Sequence, residues 1–301
     1  MPEVAPVVQQ KAEIQTPLKN GVAPVKVNRD EYADGKAARI WDVFVGDRET
    51  RAKNIKSFLI RILREHGCKR ILDAACGTGV DSIVLLEEGF EVVSVDASHQ
   101  MLKSAYRERW NRRKEAAFDN WVIEQGNWLT IDKDIKSHIG DGFDAVICLG
   151  SSFSHLHDTH GDQKEHKQAI GNFMKCLKPG GLLLIDHRNY DQLIKTGDTS
   201  ESDYSNNVYY NATHKTPIRI NTKIHYENDK PKMITRDYLI GEGDNITELN
   251  FSFHPHTLTS FTNLLKGVFG TNAPYTVYGD FKPVNLLDVP TYYIHQIKKI
   301  N

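Results

Sequence analysis

Short apolar runs alternate with longer amphipathic segments through the middle of the chain. The apolar runs predict β-strands at residues 70–75, 91–96, 121–125, 143–149 and 182–186. Between them, apolar residues recur at three- and four-residue steps, which predicts helices at 81–88, 100–115 and 163–177, the last closed by Pro-Gly-Gly at 179–181. Strands and helices that alternate at this spacing form a parallel sheet covered on both faces. The pattern therefore predicts an α/β fold with a doubly wound, mostly parallel sheet.

Different patterns flank this central region. Residues 32–66 carry apolar side chains at helical steps on both sides of Gly46 and Asp47, which predicts two amphipathic helices that end at Gly67. After Tyr190, segments rich in Tyr, Thr and Ile predict the antiparallel strands of a small β lid, at 207–210, 218–226 and 233–240. A helix at 258–269 and strands at 275–278 and 291–297 then return the chain to the main sheet.

These features divide the chain into four parts. Residues 1–28 contain four prolines and no sustained period, and we expect them to form a flexible leader. Residues 29–190 form the main domain with its N-terminal helices, 191–250 the antiparallel lid, and 251–301 the return to the main sheet. A chain of 301 residues is long enough for one large core with a smaller appendage.

The composition is that of an ordinary globular protein. Lys and Arg number 38 and Asp and Glu 39, so a net charge of −1 gives no global attraction to nucleic acid or to an acidic membrane. Mean hydropathy is −0.48, no apolar run is long enough to span a membrane, and the N-terminus lacks a signal-peptide pattern. Four cysteines without CxxC spacing suit a reducing compartment. We therefore expect a cytoplasmic protein without a nucleic-acid or membrane partner.

The strongest chemical signal is the sequence RILDAACGTG at residues 70–79, which joins the first predicted strand to a helix. Gly77 and Gly79 allow a turn with positive φ and let a ligand approach the backbone at the helix N-terminus. Asp73 lies within the strand before these glycines, and Ser82 stands where the dinucleotide fingerprint has its third glycine. The motif therefore favours a ligand without a pyrophosphate.

Two further positions fit a ligand that contains adenosine. Asp96 ends the second predicted strand about twenty residues after the glycines, where a carboxylate can accept two hydrogen bonds from a ribose diol. Asn127 and Trp128 follow the third strand and could supply an amide for the adenine edge and a ring for stacking. A nucleotide-binding domain for another ligand is the alternative at this point.

Taken together, the DxxxGxG loop, the acid that ends strand two and the sequence LKPGG before strand five resemble the class I S-adenosylmethionine-dependent methyltransferases. Other segments resemble the glycine N-methyltransferase family in particular: YADG (32–35), CGTGVDS (76–82), RERWNRRK (107–114), GFDAVICLG (142–150), DHRNYD (186–191) and GDFKP (279–283). The resemblance covers residues 21–301. It implies a methyltransferase with a Rossmann-like class I fold and S-adenosylmethionine as the cofactor, bound by residues 29–190.

The resemblance also assigns residues to the cofactor site. These residues are expected to lie against the cofactor: Tyr32, Trp41, Phe44, Arg51, Ala75, Gly77, Gly79, Asp96, Asn127, Trp128 and Leu149. Arg51 would face the methionine carboxylate and Asp96 the ribose, in agreement with the charge of each side chain. Phe44 replaces a tyrosine that the family usually shows.

For the amino acid substrate, the resemblance implies Arg188 as the carboxylate clamp, because a planar guanidinium can hold a carboxylate through two hydrogen bonds. The other residues expected to bind substrate are Ser151, Ser152, Tyr210, Tyr238 and Tyr292. We expect Tyr32, Arg188 and Tyr210 to be catalytic, since they would orient the amine, the methyl group and the carboxylate.

The sequence departs from the family at several positions. Ser151 stands where the family has an asparagine, so an amide contact to the substrate becomes a smaller hydroxyl and relaxed substrate choice is expected. Lys26 lies where the family carries an acidic residue in a segment that plugs a neighbouring subunit, so auto-inhibition by this segment is not expected. Lys232 replaces a histidine of the family's folate-inhibitor site, and Phe253 stands at one further aromatic position of the pocket.

The resemblance implies a homotetramer that methylates glycine to sarcosine. The alternatives left open are activity on sarcosine or another small amine, a nucleic-acid methyltransferase that uses the basic run at 107–114, and a non-catalytic module that binds S-adenosylmethionine or folate. His155, His157 and His160 lack a carboxylate or cysteine at a familiar ligand spacing, so no metal site is expected.

Overall fold

The computed structural model describes residues 31–32, 34–38, 48–197, 218–241, 245–287 and 289–300, with the backbone alone at 48–54 and 218. Trp41, Phe44, Tyr210 and the predicted strand at 207–210 lie outside these residues, as do the leader and the Arg51 side chain. Within the described ranges, no helix is both long enough and apolar enough to cross a membrane.

The strands, in chain order, are β1 Arg70–Asp73, β2 Glu91–Asp96, β3 Val122–Gln125, β4 Phe143–Cys148, β5 Leu177–Arg188, β6 Ile218–Glu227, β7 Lys230–Ile240, β8 Thr247–Phe253, β9 Tyr275–Gly279, β10 Lys282–Pro283 and β11 Tyr292–Lys298. The helices are α1 Arg48–Glu65, α2 Val80–Glu87, α3 His99–Asn111, α4 Ala116–Asp119, α5 Ile131–Asp134, α6 Lys136–Ile139, α7 Lys164–Cys176, α8 Tyr190–Thr196 and α9 Leu258–Phe269. Short 3₁₀ turns occupy Ser152–His155 and Val284–Leu286.

The main sheet has eight strands in the order β10-β9-β11-β5-β4-β1-β2-β3. Strands β1 to β5 are parallel to one another, whereas β11 is antiparallel to both β5 and β9. The strand order reverses between β1 and β4, and the crevice at the carboxyl ends of such strands is where open α/β sheets bind ligands. The predicted doubly wound, mostly parallel sheet is confirmed.

The core lies on both faces of this sheet. Ile71 and Leu72 are adjacent on β1 and both 0% exposed, yet they pack into separate apolar clusters on opposite faces. This follows from the alternation of side chains along a strand. Parallel strands buried on both faces read as continuous apolar runs, which is why the sequence pattern located them.

A small antiparallel sheet, formed by β6, β7 and β8, packs against the main domain. Its buried residues Ile220, Ile234, Tyr238 and Phe251 belong to the same apolar cluster as Ile71. The predicted small antiparallel sheet is therefore present. Its third strand, β8, has no counterpart among the predicted segments, and it continues to Phe253 past the predicted boundary at residue 250.

Two predicted elements end differently in the structure. The helix predicted at 100–115 stops at Asn111, because the Arg112 guanidinium binds Glu87 and Glu115 and the chain turns there into α4. The Pro-Gly-Gly segment predicted to separate a helix from a strand is instead part of β5. It stays on the sheet because the Gly180 N–H donates to the Lys299 carbonyl at 2.9 Å.

Candidate active site

A chain of buried hydrogen bonds supports the glycine loop between β1 and α2. The Trp121 indole N–H donates to Ser94 Oγ at 2.7 Å. The Ser94 hydroxyl lies 2.7 Å from Ser82 Oγ, which donates to Asp73 Oδ2 at 2.6 Å. Gly79, at φ 89°, lies so close to Trp121 that an added Cβ would be 2.7 Å from the ring. Ser82 stands where the dinucleotide fingerprint has glycine, and its hydroxyl donates a hydrogen bond to Asp73.

Asp73 itself is only 3% exposed. Burial, reinforced by the nearby Asp81, raises the pKa of its carboxyl to about 7, although hydrogen bonds from Ser82 and the Ala75 N–H favour the charged form. This carboxyl therefore titrates near neutral pH, directly beneath the glycine loop.

Asp96 ends β2 and faces the same loop. Its Oδ2 accepts the Gly77 N–H and its Oδ1 the Ser98 N–H, both at 2.8 Å. The side chain is only partly buried, and each carboxylate oxygen has a second lone pair. Burial raises the pKa of this carboxyl, while the two N–H donors oppose that rise. Asp96 can therefore accept further hydrogen bonds from a ligand at the carboxyl end of β2.

Asn127 and Trp128 follow β3. Asn127 is exposed, and its Oδ1 accepts the Leu129 N–H at 2.9 Å, which turns the amide so that its NH₂ group is the part able to donate to a ligand. The Trp128 indole N–H donates to the Ala74 carbonyl at 2.6 Å, and its ring lies 5.5 Å from the Phe153 ring. Both side chains are thus held at the carboxyl edge of the sheet.

A buried carboxylate shapes the loop after β4. Asp186, which is 0% exposed on β5, accepts the Gly150 N–H at 3.0 Å and the Ser151 N–H at 2.7 Å. Ser151 adopts the left-handed conformation, with φ 60° and ψ 21°. The Ser152 hydroxyl donates to the Leu149 carbonyl at 2.8 Å. The Asp186 carboxylate therefore sets the position of the whole turn.

Arg188 ends β5 beside this turn. Its backbone N–H donates to Ser151 Oγ at 3.2 Å, and the same hydroxyl lies 3.3 Å from Ser154 Oγ. The guanidinium donates to the Tyr292 hydroxyl at 2.7 Å, and its carbon lies 4.9 Å from the centre of the Tyr292 ring. Tyr292 is the register partner of Arg188 on β11 and is 2% exposed. The guanidinium is therefore oriented by a fixed aromatic side chain.

A group that the sequence analysis missed lies around Tyr32. His155 Nε2 is 3.1 Å from the Tyr32 hydroxyl, and its Nδ1 is 3.1 Å from Glu31 Oε2. The other Glu31 oxygen accepts the backbone N–H of Ser252 at 2.8 Å and its hydroxyl. A carboxylate only accepts, so the Nδ1–H of His155 donates to Glu31, and in the neutral imidazole Nε2 accepts from the Tyr32 hydroxyl. The His155 ring thus fixes the direction of the Tyr32 hydroxyl.

No local signal could have revealed the contact between Glu31 and Ser252, which are 221 residues apart in the chain. From the sequence, His155 was considered only as a metal ligand, together with His157 and His160. In the structure the His157 ring binds the Ser252 hydroxyl at 2.9 Å. The position of His155, just after an apolar strand of a parallel sheet, was the one available indication of a ligand-binding role.

Most of the predicted site residues that the structure describes lie on the carboxyl edge of the main sheet: Ala75, Gly77, Gly79, Asp96, Asn127, Trp128, Leu149, Ser151, Ser152, Arg188 and Tyr292. Tyr32 lies beside His155. Tyr238 lies on the small sheet, 4% exposed, with its ring 5.6 Å from Phe251, which also packs against Tyr32. Phe251 thereby connects the small sheet to Tyr32.

Comparison with known proteins agrees with this architecture. A family model described as a methyltransferase domain matches residues 65–247. Over 279 residues the chain is 51% identical to the glycine N-methyltransferase of Mus musculus, covering 90% of this chain and 93% of the mouse protein. It is 32% identical to the glycine/sarcosine N-methyltransferase of Aphanothece halophytica, covering 93% of this chain and 96% of that protein.

Among solved structures, the CcbJ methyltransferase from Streptomyces caelestis matches with a TM-score of 0.68 at 15% identity. The match covers 91% of this chain and 100% of that chain. At this identity the likeness concerns the fold, and it confirms the class I methyltransferase architecture.

The pKa of Asp73 predicts a pH-dependent difference in stability. Above about pH 4 the unfolded chain loses this proton, whereas the folded chain keeps it up to about pH 7, so the contribution of Asp73 to stability falls as pH rises between these values. Asp73→Asn removes the titration. The free energy of unfolding of the variant minus that of the wild type should therefore rise by up to about 1.4 kcal/mol per pH unit over this window and then level off.

Urea denaturation at several pH values measures this difference. Asp119→Asn, which changes an exposed carboxylate, is the matched control and should show no such rise. A flat difference for Asp73→Asn would contradict the assignment of a raised pKa to this carboxyl.

Proposed function

The chain belongs to the glycine N-methyltransferase family, and on that premise we propose that it methylates glycine to sarcosine with S-adenosylmethionine as the methyl donor. The observation that carries the proposal is the Arg188 guanidinium at the end of β5, on the same edge of the sheet at which Asp96 ends β2. One edge therefore offers a carboxylate for a ribose and a cation for an amino acid carboxylate.

The residues after β1, β2 and β3 fit S-adenosylmethionine. Asp96 would accept the ribose hydroxyls, the Asn127 NH₂ group would donate to the adenine, and the backbone at Gly77 would lie against the cofactor. When bound, the cofactor supplies a methyl group made electrophilic by its sulfonium sulfur. Trp41, Phe44 and the Arg51 side chain belong to the proposed site on the strength of the family resemblance.

Arg188 is the proposed clamp for the glycine carboxylate. Its contact with the Tyr292 hydroxyl limits the rotation of the guanidinium, so less side-chain freedom is lost when substrate binds. The hydroxyls of Ser151 and Ser152 already bind the Arg188 N–H and the Leu149 carbonyl. We therefore assign the main grip on the carboxylate to Arg188, with both serines and Tyr292 as neighbours in the pocket.

Methyl transfer to an amine requires mainly desolvation and alignment, because the donor is already activated. The protein must take up glycine with a neutral amine and direct its nitrogen at the methyl group. Tyr32, with its hydroxyl held by His155, is proposed to orient the amine or the methyl group, and Tyr210 to assist it. Glu31 acts on Tyr32 through His155, so it is a positioning residue.

Methylation of sarcosine in addition to glycine is the main alternative for the range of substrates. A serine at position 151 is smaller than the asparagine of the family, so the pocket should also admit sarcosine, whose nitrogen carries one more methyl group. Of the relatives compared, the protein of Aphanothece halophytica is a glycine/sarcosine N-methyltransferase.

The basic run at 107–114 gives little support to an RNA substrate. Arg112 forms salt bridges with Glu87 and Glu115, at 2.5 and 2.6 Å, and Arg113 stacks over Trp110 at 4.2 Å. The charge of Arg112 is thus neutralised within the protein, and Glu108 and Glu115 dilute the remaining positive charge, which weakens the field for phosphates.

We also propose a homotetramer in the cytoplasm. The four cysteines are free thiols and buried, which supports a reducing compartment, and the tetramer follows from the family resemblance. Light scattering coupled to size exclusion measures the assembly, and a monomeric mass would overturn that part of the proposal.

The function is tested by incubating the protein with S-adenosylmethionine labelled in the methyl group and with glycine, sarcosine or bulk RNA in separate reactions. We expect labelled sarcosine from glycine, slower or comparable methylation of sarcosine, and none of RNA. Label incorporated into RNA alone would overturn the assignment.

Arg188→Lys should reduce kcat/KM for glycine about 10- to 100-fold, because a point charge cannot reproduce two parallel hydrogen bonds to a carboxylate. Cofactor affinity should stay within about twofold of wild type. Steady-state kinetics at subsaturating glycine measure the first effect and calorimetry the second. Arg61→Lys, at an exposed ion pair with Glu65, is the control. Equal loss in both variants, or none in Arg188→Lys, would exclude the clamp.

Glu31→Gln should lower kcat about 10-fold or more, because the amide no longer fixes His155 as the acceptor for Tyr32. The KM for glycine should change little, since Glu31 is not among the residues assigned to the substrate. Glu65→Gln, an exposed substitution of the same kind, serves as the control. If KM rises while kcat is retained, Glu31 acts on binding and the positioning role is wrong.

A further inference from the structure

Three histidines converge behind the loop that follows β4. His166 lies on α7, and His254 and His256 lie in the segment between β8 and α9. Their ring centres are 4.5 to 4.9 Å apart, and each ring offers a nitrogen within 4.8 Å of the nitrogens of the other two. His166 and His256 are 0% exposed, and His254 is partly buried. The methyl transfer described above uses none of them.

The hydrogen bonds of His166 fix where its lone pair lies. Its Nε2 is 2.6 Å from the Leu156 carbonyl oxygen, which can only accept, so Nε2 carries the proton and Nδ1 the lone pair. This Nδ1 is buried and has no hydrogen-bond partner. A ring N–H held by a backbone carbonyl, with the other nitrogen left bare, is the usual state of a histidine that binds a metal.

The other two rings also have buried nitrogens without a hydrogen-bond partner. The Nδ1 of His254 and both ring nitrogens of His256 are buried without a partner. Buried polar atoms nearly always find a hydrogen bond, so several unpaired nitrogens in one place call for an explanation. Burial also keeps these imidazoles neutral by lowering the pKa of each ring, and the neutral ring is the form that coordinates a cation.

The backbone around the cluster is held in place. The His254 N–H donates to the Ser154 carbonyl at 2.6 Å, and the His256 N–H lies 3.0 Å from the His254 carbonyl. Pro255 between them restricts the chain further. The Asp158 carboxylate, fixed by the Gly161 N–H at 2.8 Å, adds negative charge near His166 and His254. A cation would therefore meet three restrained ligands in a favourable potential.

We propose that His166, His254 and His256 bind one divalent zinc ion, with a water molecule as the fourth ligand. Three imidazoles suit zinc, and tetrahedral Zn–N bonds of about 2.0 to 2.1 Å place ligand nitrogens about 3.4 Å apart. The side chains reach this from the observed separations of up to 4.8 Å by a small inward movement. The ion would join α7 to the end of β8, next to the turn that carries His155, and so stabilise the site without entering the reaction.

Zinc titration of the chelator-treated full-length protein, in competition with a chromophoric chelator, tests this proposal. We expect one zinc ion per chain with Kd below about 1 μM, and a rise in Tm of about 5 °C or more when zinc is saturating. Co²⁺ in place of zinc should give the visible absorption bands of a tetrahedral site. Absence of stoichiometric binding by the wild type would overturn the proposal, whatever the variants do.

Two variants locate the site. His254→Phe and His256→Phe keep an aromatic ring but remove the ligand nitrogens, and each should abolish the zinc-dependent rise in Tm. His160→Ala, at an exposed histidine nearby, should bind zinc as the wild type does. Binding that survives in both phenylalanine variants, or that disappears in His160→Ala, would place the ion elsewhere and contradict the proposal. Because binding and Tm are measured without substrate, the result is independent of the methyltransferase assay.

Discussion

The hydrogen bond from the Gly77 N–H to the Asp96 carboxylate is the contact on which the cofactor side of the structure depends. At 2.8 Å it joins the loop after β1 to the end of β2. A chain of buried hydrogen bonds that ends where the Ser82 hydroxyl donates to Asp73 holds the same loop from below. The loop is therefore fixed before any ligand binds, so little conformational entropy of the loop is lost when a cofactor binds there.

Carboxylates also accept backbone N–H groups on the substrate side of the site. Asp186 accepts the N–H groups of Gly150 and Ser151 and so fixes the turn beside Arg188, and Glu31 accepts from Ser252 and His155. Asp96 and Asp186 lie on strands of the main sheet, and each orders a loop that follows a different strand, whereas Glu31 joins β8 to the turn after β4. Such loops carry the ligand-binding residues of parallel sheets. A rigid loop holds these residues in place and so keeps the bound substrate aligned.

Local patterns predicted most of the fold and the part of the site that is local in sequence. The strand at 91–96 and the helix at 258–269 were predicted to the residue, because long apolar periodicities dominate there. The strand β8 and the short helix α8 were missed, since their burial depends on partners far along the chain. For the same reason the glycine loop could be predicted, whereas the contacts of Glu31 and of His166 could not. Glu31 lies 221 residues from Ser252, and His166 lies 88 residues or more from the other two histidines of its cluster.

The affinity of the protein for S-adenosylmethionine, measured by calorimetry in the wild type and in Asp96→Ala, tests most directly the claim that strand-end carboxylates organise the site. Loss of hydrogen bonds to a charged group is worth about 1.5 to 3 kcal/mol, so Kd should rise about 10-fold or more. Asp119→Ala, at an exposed carboxylate, should leave Kd unchanged. A Kd for Asp96→Ala within about twofold of the wild-type value would contradict the account.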